Sequence, residues 1–229
     1  MRSEFDEYAA SYDELLQRSV AFAGQSSDFY TQVKAEILLA LLTARHGADL
    51  DAVDILDIGC GTGRTDVHLA SGCGRLRGVD PSRESVAVAR RSNPSVEYRV
   101  QDGDRLPYAD GSFHEAFTIN VMHHVPPERW TAFLREAHRV LRPGGRLLIF
   151  EHNPWNPLTR KAVRDCVFDA DAVLLDPRRL VTLTSAAGFS PQRACFILFF
   201  PWRRRLFRRI ERHLGWLPLG AQYIVAAHR

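Results

Sequence analysis

Ile55-Leu56-Asp57-Ile58-Gly59-Cys60-Gly61-Thr62-Gly63 decides the fold. An apolar, partly β-branched run passes directly into glycines at alternate positions, and Arg64 to Ala70 then reads as a helix stopped near Gly72. The run predicts a buried strand, and the glycines allow a tight turn with close approach of backbone to a ligand. A dinucleotide site at such a junction requires G-x-G-x-x-G. Here Arg64 stands at the sixth position, so the spacing is G-x-G-x-G, with Asp57 two residues before the first glycine.

Working outward, Leu76 to Val79 is a second strand and Asp80 ends it. A carboxylate there can accept from both hydroxyls of a ribose. Ser82 to Arg91 is a helix, with Ser82 as N-cap and Glu84 in its first turn. Val96 to Val100 is a third strand, and Asp102 follows it, placed to accept from an adenine amino group. Phe113 to Ile119 is a fourth strand. Glu128 to Leu141 is an amphipathic helix with Trp130, Phe133, Leu134, Ala137 and Leu141 inward, ended by Pro143-Gly144-Gly145. Arg146 to Phe150 is a fifth strand. A helix begins at Asp176-Pro177 and stops at Gly188, and Gln192–Phe200 and Gln222–Ala227 are the last strands. Upstream lies a helix over 32–46, with Ile37, Leu38, Leu41 and Leu42 on one stripe. Residues 1–30 read as one or two short helices laid on the rest. The alternation predicts an α/β fold with a mostly parallel sheet covered on both faces.

The 229 residues suit one domain with decorations. With 45% apolar and 25% charged residues, the chain can bury a core and is not disordered by composition. Its longest apolar stretch, Cys195 to Trp202, is too short for a membrane span, which needs about 20 residues. Met1 to Asp6 lacks the apolar core of a signal peptide, so a cytoplasmic location is expected. Cys60, Cys73, Cys166 and Cys195 share no CxxC spacing, and no HExxH or Asp-rich spacing appears, so neither a disulfide framework nor a metal is expected.

Taken together, DIGCGTG at 57–63, Gly78-Val79-Asp80-Pro81-Ser82, Asp102-Gly103, and Leu106-Pro107-Tyr108-Ala109-Asp110-Gly111-Ser112-Phe113 resemble the class I S-adenosylmethionine-dependent methyltransferases. Met122-His123-His124 and Leu141-Arg142-Pro143-Gly144-Gly145-Arg146-Leu147 extend the likeness, which is greatest to the small-molecule, ubiquinone-methyltransferase-like group. It covers about 50–150 continuously. The resemblance implies a Rossmann-like sheet of seven strands, the last antiparallel. It implies S-adenosyl-L-methionine as cofactor, with Gly59, Cys60, Gly61 and Gly63 under its methionine part and Asp57 in the same motif. Asp80, followed by Pro81, would hold the ribose, and Asp102 with Gly103 would meet adenine. Asn120 and Val121 would line the pocket, and Tyr12 would close over it. One departure is His114, where the family carries Asp; a strand start makes little of that.

A parallel sheet binds ligands at the carboxyl ends of its strands. The segments leaving those ends, 120–127, 151–175 and 201–220, together with a helical cap at 1–30, are expected to enclose a small-molecule acceptor within one domain spanning 1–229. The connection 151–175 far exceeds the 2–6 residues usual between strand and helix. A base is needed only where the acceptor atom carries a proton. His123 and His124, of which one at most is catalytic, and Glu151 are the candidates; His152, Asp165, Asp169 and Cys166 read as loop-folding or buried residues. The expectation is methylation of a hydroxyl oxygen in a biosynthetic or specialised metabolite. Nitrogen and carbon acceptors, a quinone or lipid acceptor at a membrane surface, and a non-catalytic cofactor-binding protein stay open. Arg203, Arg204, Arg205, Arg208, Arg209 and Arg212 sit on a basic amphipathic helix with Leu206, Phe207, Ile210 and Leu214 inward. A solvated face is preferred to a lid attracting an anionic or lipid-linked acceptor. The net charge of +3 and the lack of a reading module argue against nucleic acid.

Overall fold

The computed structural model describes residues 12–202 and 205–229. Two helices, α1 (Tyr12–Val20) and α2 (Ser27–His46), precede the sheet. The core then alternates β1 (Asp54–Ile58), α3 (Arg64–Leu69), β2 (Arg75–Asp80), α4 (Arg83–Ser92), β3 (Glu97–Val100), β4 (Phe113–Ile119), α5 (Trp130–Val140) and β5 (Leu141–His152). It ends with α6 (Pro157–Arg164), α7 (Pro177–Ala186), β6 (Ser190–Pro191), β7 (Cys195–Ile197), α8 (Arg205–Leu214) and β8 (Gln222–His228). The sheet order is β3-β2-β1-β4-β5-β8-β6, with β7 also on β8. The first five strands run parallel, and β8 is antiparallel to β5, β6 and β7.

The expected seven-stranded sheet therefore has eight strands among the described residues. The strand read over 192–200 is reduced to β7, and a separate two-residue strand, β6, precedes it. Pro191 brings no N–H to the ladder, and Leu198 leaves it with φ 60. Both strands still share one position beside β8. The fifth strand is longer than expected, from Leu141 to His152. The acceptor-side connection contains α6, which Asn156 caps by accepting from Leu158 N and Thr159 N. Ser82 and Asp176 cap α4 and α7 as the sequence predicts.

Continuous apolar strands divide their side chains between two cores, because successive residues point to opposite faces. In β5, Leu148 and Phe150 face Leu38, Leu42 and Leu69 of α2 and α3. Leu147 and Ile149 face Trp130, Leu134 and Leu180 of α5 and α7. The chain leaves β1 for β2 on one side and returns to β4 on the other. That reversal opens a crevice above the carboxyl ends of β1 and β4, where such sheets take ligands.

Glu115 fastens α2 to the sheet from its buried position in β4. Its carboxylate meets Arg146 Nε at 2.8 Å, Arg45 Nε at 3.1 Å and His46 Nε2 at 2.7 Å. Removing one partner of a buried pair strands the other's charge and costs about 3–5 kcal/mol. Glu115→Ala should lose stability of that order in chemical denaturation, with an unaltered denaturant slope; a loss no larger than a surface substitution would refute the fastening role.

Candidate active site

Val79 carbonyl accepts from both Gly59 N (2.8 Å) and Cys60 N (3.0 Å), which folds the glycine turn back over β2. A Cβ at Gly59 would lie 2.4 Å from Val121 Cγ2, and one at Gly63 would lie 2.7 Å from Asn93 Nδ2. Both residues also have positive φ, so no L side chain is accommodated without strain. Asp80 completes the turn: Oδ2 accepts from Gly61 N and Oδ1 from Ser82 N, each at 2.8 Å.

Above this turn lies a cavity of about 550 Å³. Asp57, Gly59, Cys60, Gly61, Asp80, Pro81, Asn120 and Val121 line it, as the sequence suggested. Gly63 instead packs beneath the turn as the N-terminal residue flanking α3. Asp102 and Gly103 are exposed and do not line the cavity. Tyr12 begins α1, but its side chain lies outside the described residues. Asn120 has φ 57, an αL conformation Asn tolerates better than most residues, and its Oδ1 accepts from Gln222 Nε2 at 3.2 Å.

Asp57 and Asp66 form an acid pair behind the turn. Oδ1 of each is buried without a hydrogen-bond donor. Burial, followed by the neighbouring Asp66 charge, holds Asp57 well above the carboxylate range; burial raises Asp66 to about 6 against the bond donated by Tyr98. A side-chain hydrogen bond between the two carboxyls requires one of them to carry a proton.

The other half of the cavity is a histidine cluster. His123 Nδ1 lies 2.7 Å from Glu151 Oε2, while Glu151 Oε1 accepts from Met122 N at 2.8 Å. Asp169 Oδ1 lies 3.3 Å from His124 Nε2 and 3.7 Å from His123 Nε2. Burial opposes charge on His123, but Glu151 and Asp169 outweigh it and raise the ring above its usual range. Burial and the adjacent His123 charge lower His124 to about 4 and His152 to about 3. Asp169 and His152 thus belong to this cluster rather than merely to loop folding. Asp165 stays outside, paired with Lys161. Cys166 is buried, and burial pushes its thiol up to about 12, far from a nucleophile's range.

Residues 151–175 are pinned as a wall. Asn153 Nδ2 donates to Pro218 O and Gly220 O, Thr159 Oγ1 donates to Ala221 O, and Val173 N donates to His123 O. From the other side, Glu211 of α8 accepts from Phe199 N (2.8 Å) and Phe200 N (3.0 Å), both cavity-lining residues. Ile210 is 39% exposed, contrary to its expected inward place, and the side chain of Leu206 lies outside the described residues. The α1 and α6 segments add Leu16, Val20, Leu158 and Val163, giving this half apolar walls around the histidines.

Lys34 and Arg64 also line the cavity and were not singled out in the sequence. Burial, then the Arg64 charge, lowers Lys34 to about 8. Its signal was available: Lys34, Leu38, Leu41 and Leu42 share one helical stripe, so a lysine stands on a buried face.

Residues 55–145 match a family described as a methyltransferase domain. Demethylmenaquinone methyltransferase from Beutenbergia cavernae is 35% identical over 156 residues, covering 67% of this chain and 59% of that protein. The 27-O-demethylrifamycin SV methyltransferase of Amycolatopsis mediterranei is 38% identical over 102 residues, covering 42% of this chain and 37% of that protein. The chain spans 35% to 64% of the length of the curated relatives it matches. Among solved structures, an S-adenosylmethionine-dependent methyltransferase from Thermotoga maritima shares the fold with a TM-score of 0.68, 22% identity and coverage of 98% of this chain and 97% of its own.

The acid pair sets a pH signature. Free carboxyls in the unfolded chain lose their protons near pH 4. A raised folded value therefore stabilises below that point, and the contribution is lost as pH rises through about 6, the value for Asp66. Asp66→Asn supplies an N–H donor in place of the proton. Its melting temperature should gain on the wild type between pH 5 and 8, by roughly 2–4 °C for each kcal/mol. A constant gap would show that no proton is shared.

Proposed function

We propose that the chain is a class I S-adenosylmethionine-dependent methyltransferase, a reading that the matched methyltransferase domain supports, and that it moves the methyl group to a hydroxyl oxygen of a small, largely apolar metabolite. One observation carries the reading: a cavity whose glycine-and-acid half continues into a histidine cluster inside apolar walls. The residues fit the cofactor. Gly59 and Gly63 have no room for side chains, and Asp80, which holds Gly61 N and Ser82 N, lines the cavity beside them. Asp80 would hold the ribose diol, with Pro81 beside it. Asn120 and Val121 would border the methionine part, and Lys34 with Arg64 would meet its carboxylate. Bound there, the cofactor supplies an activated methyl group, so the protein's main task is alignment, worth about 7–11 kcal/mol.

Asp102 and Gly103, both exposed, keep the adenine role that the resemblance assigns them, and Tyr12 that of a closing side chain. The segments 1–30, 151–175 and 201–220 act as the acceptor's enclosure within one domain. His124 is the base in this reading. It faces the cavity, with Asp169 on Nε2 to orient the ring, whereas His123 is clamped between Glu151 and Asp169. Glu151 acts through His123 as a positioning residue.

Exposed Trp202, Trp216 and Leu219 flank α8, at 51%, 75% and 62%. They favour one second reading, a quinone- or lipid-like acceptor presented at a membrane. Co-sedimentation with liposomes separates the two. No helix among the described residues is long and apolar enough to cross a membrane.

Calorimetry should register S-adenosylhomocysteine, and Asp80→Ala should weaken it about ten- to a hundredfold, the equivalent of one or two charge-assisted bonds. Unchanged affinity in the folded variant would refute the ribose role. With a panel of hydroxylated acceptors, the wild type should release S-adenosylhomocysteine. His124→Ala should lower kcat by roughly 10²–10⁴ with cofactor affinity intact. His123→Ala should also lower the melting temperature, because it leaves Glu151 buried without its ring partner. Near-normal turnover in His124→Ala would mean that alignment alone drives the reaction, and would point to an acceptor that has no proton to lose.

A further inference from the structure

We infer that His123, His152 and Asp169 form a binding site for one divalent transition-metal ion of the zinc class, opening into the acceptor half of the cavity. One ligand atom from each lies within 4.8 Å of the other two. All three residues line the cavity, so an ion among them keeps an open coordination position facing the acceptor. Two imidazoles and a carboxylate are the donors that zinc-class ions prefer, and three protein ligands with an open position is the arrangement of a reactive rather than a structural site. Small side-chain rotations close the gaps to the bond lengths of about 2.0–2.2 Å that such ions take.

The surroundings of the ligands supply an independent argument. A metal-binding histidine donates its other ring N–H to a fixed acceptor, which sets the tautomer. His123 Nδ1 does so toward Glu151 at 2.7 Å, leaving Nε2 toward Asp169. His152 Nδ1 lies 3.3 Å from the amide of Gln222, whose Oε1 is buried without a donor. Turning that amide together with that of Asn120, each with O and N interchangeable by shape, places the Gln222 oxygen on His152 Nδ1–H and keeps the bond between the two amides. Both rings would then be held by Nδ1, as metal ligands are. Two carboxylates in a closed cluster also suit a doubly charged ion. The sequence offered no motif because the three ligands come from three separate segments, after β4, at the end of β5 and after α6.

The functional consequence rests on the methyl-transfer reading: an acceptor hydroxyl on the open position would have its proton acidified by the ion. The site itself is tested without turnover. Full-length, untagged protein freed of metal by chelator is titrated with ZnCl₂ in a calorimeter, and with CoCl₂ by visible absorption. One ion per chain is expected. Asp169→Asn and His152→Ala should each weaken zinc by at least about a hundredfold, beyond the 10–100-fold that outer partners command, while S-adenosylhomocysteine still binds and so reports an intact fold. Should either variant fail to fold, the wild-type cobalt spectrum decides: intense bands of a low-coordinate, nitrogen-bound ion support the site, and the weak spectrum of hydrated cobalt overturns it. No zinc uptake by the wild type, or wild-type affinity in both variants, also overturns it. Zinc binding without S-adenosylhomocysteine binding retains this site and removes the methyl-transfer reading; the reverse removes this site alone.

Discussion

The turn at the end of β1 is held by a single carbonyl. Val79 O receives Gly59 N and Cys60 N, and the next residue, Asp80, collects Gly61 N and Ser82 N. Four backbone donors that would otherwise point into a cavity are thereby satisfied by two adjacent residues of β2. An unpaired buried amide costs about 1–3 kcal/mol, so this arrangement fixes the turn as firmly as the sheet itself. Everything polar in the cavity is referenced to that fixed edge: the acid pair behind it, Asn120 and Val121 across from it, and the histidines beyond.

The cavity is electrically divided. Asp57 and Asp80 line one end with Asp66 behind them, and burial raises the carboxyls of Asp57 and Asp66. Lys34 lies within electrostatic reach of Arg64 and of Glu151 and His152. At the other end, Glu151 and Asp169 face three imidazoles. The division follows from topology. The acids sit on the β1 and β2 side of the switch point, and the histidines sit on the β4 and β5 side.

The glycine half of the cavity was legible because it is local. Gly59 to Gly63 and Asp80 declare themselves within a few residues of strand ends, and parallel strands bring those ends together. The N-caps Ser82 and Asp176 were readable for the same reason. The acceptor half was not. His152 and Asp169 join His123 only through the packing of 151–175 against 215–221, fixed by Asn153 and Thr159 bonding to backbone carbonyls of that segment. No spacing records such contacts. The shortening of the 192–200 strand to β7 escaped because its apolar run continues through Leu198, where the backbone, not the side-chain pattern, changes. Lys34 was less legible because the apolar members of its stripe alone account for a buried helix face.

β8 lies between β5 and the β6–β7 edge, and it contributes Gln222 to the cavity while Ala221 beside it receives Thr159. Synthesis runs from the amino end, so the glycine turn and its acids can reach their final arrangement while β8 is still untranslated. Until it is made, β6 and β7 have only an absent neighbour to pair with, and the wall of 151–175 has nothing to bond. A nascent chain would thus complete the glycine half of the cavity before the histidine half.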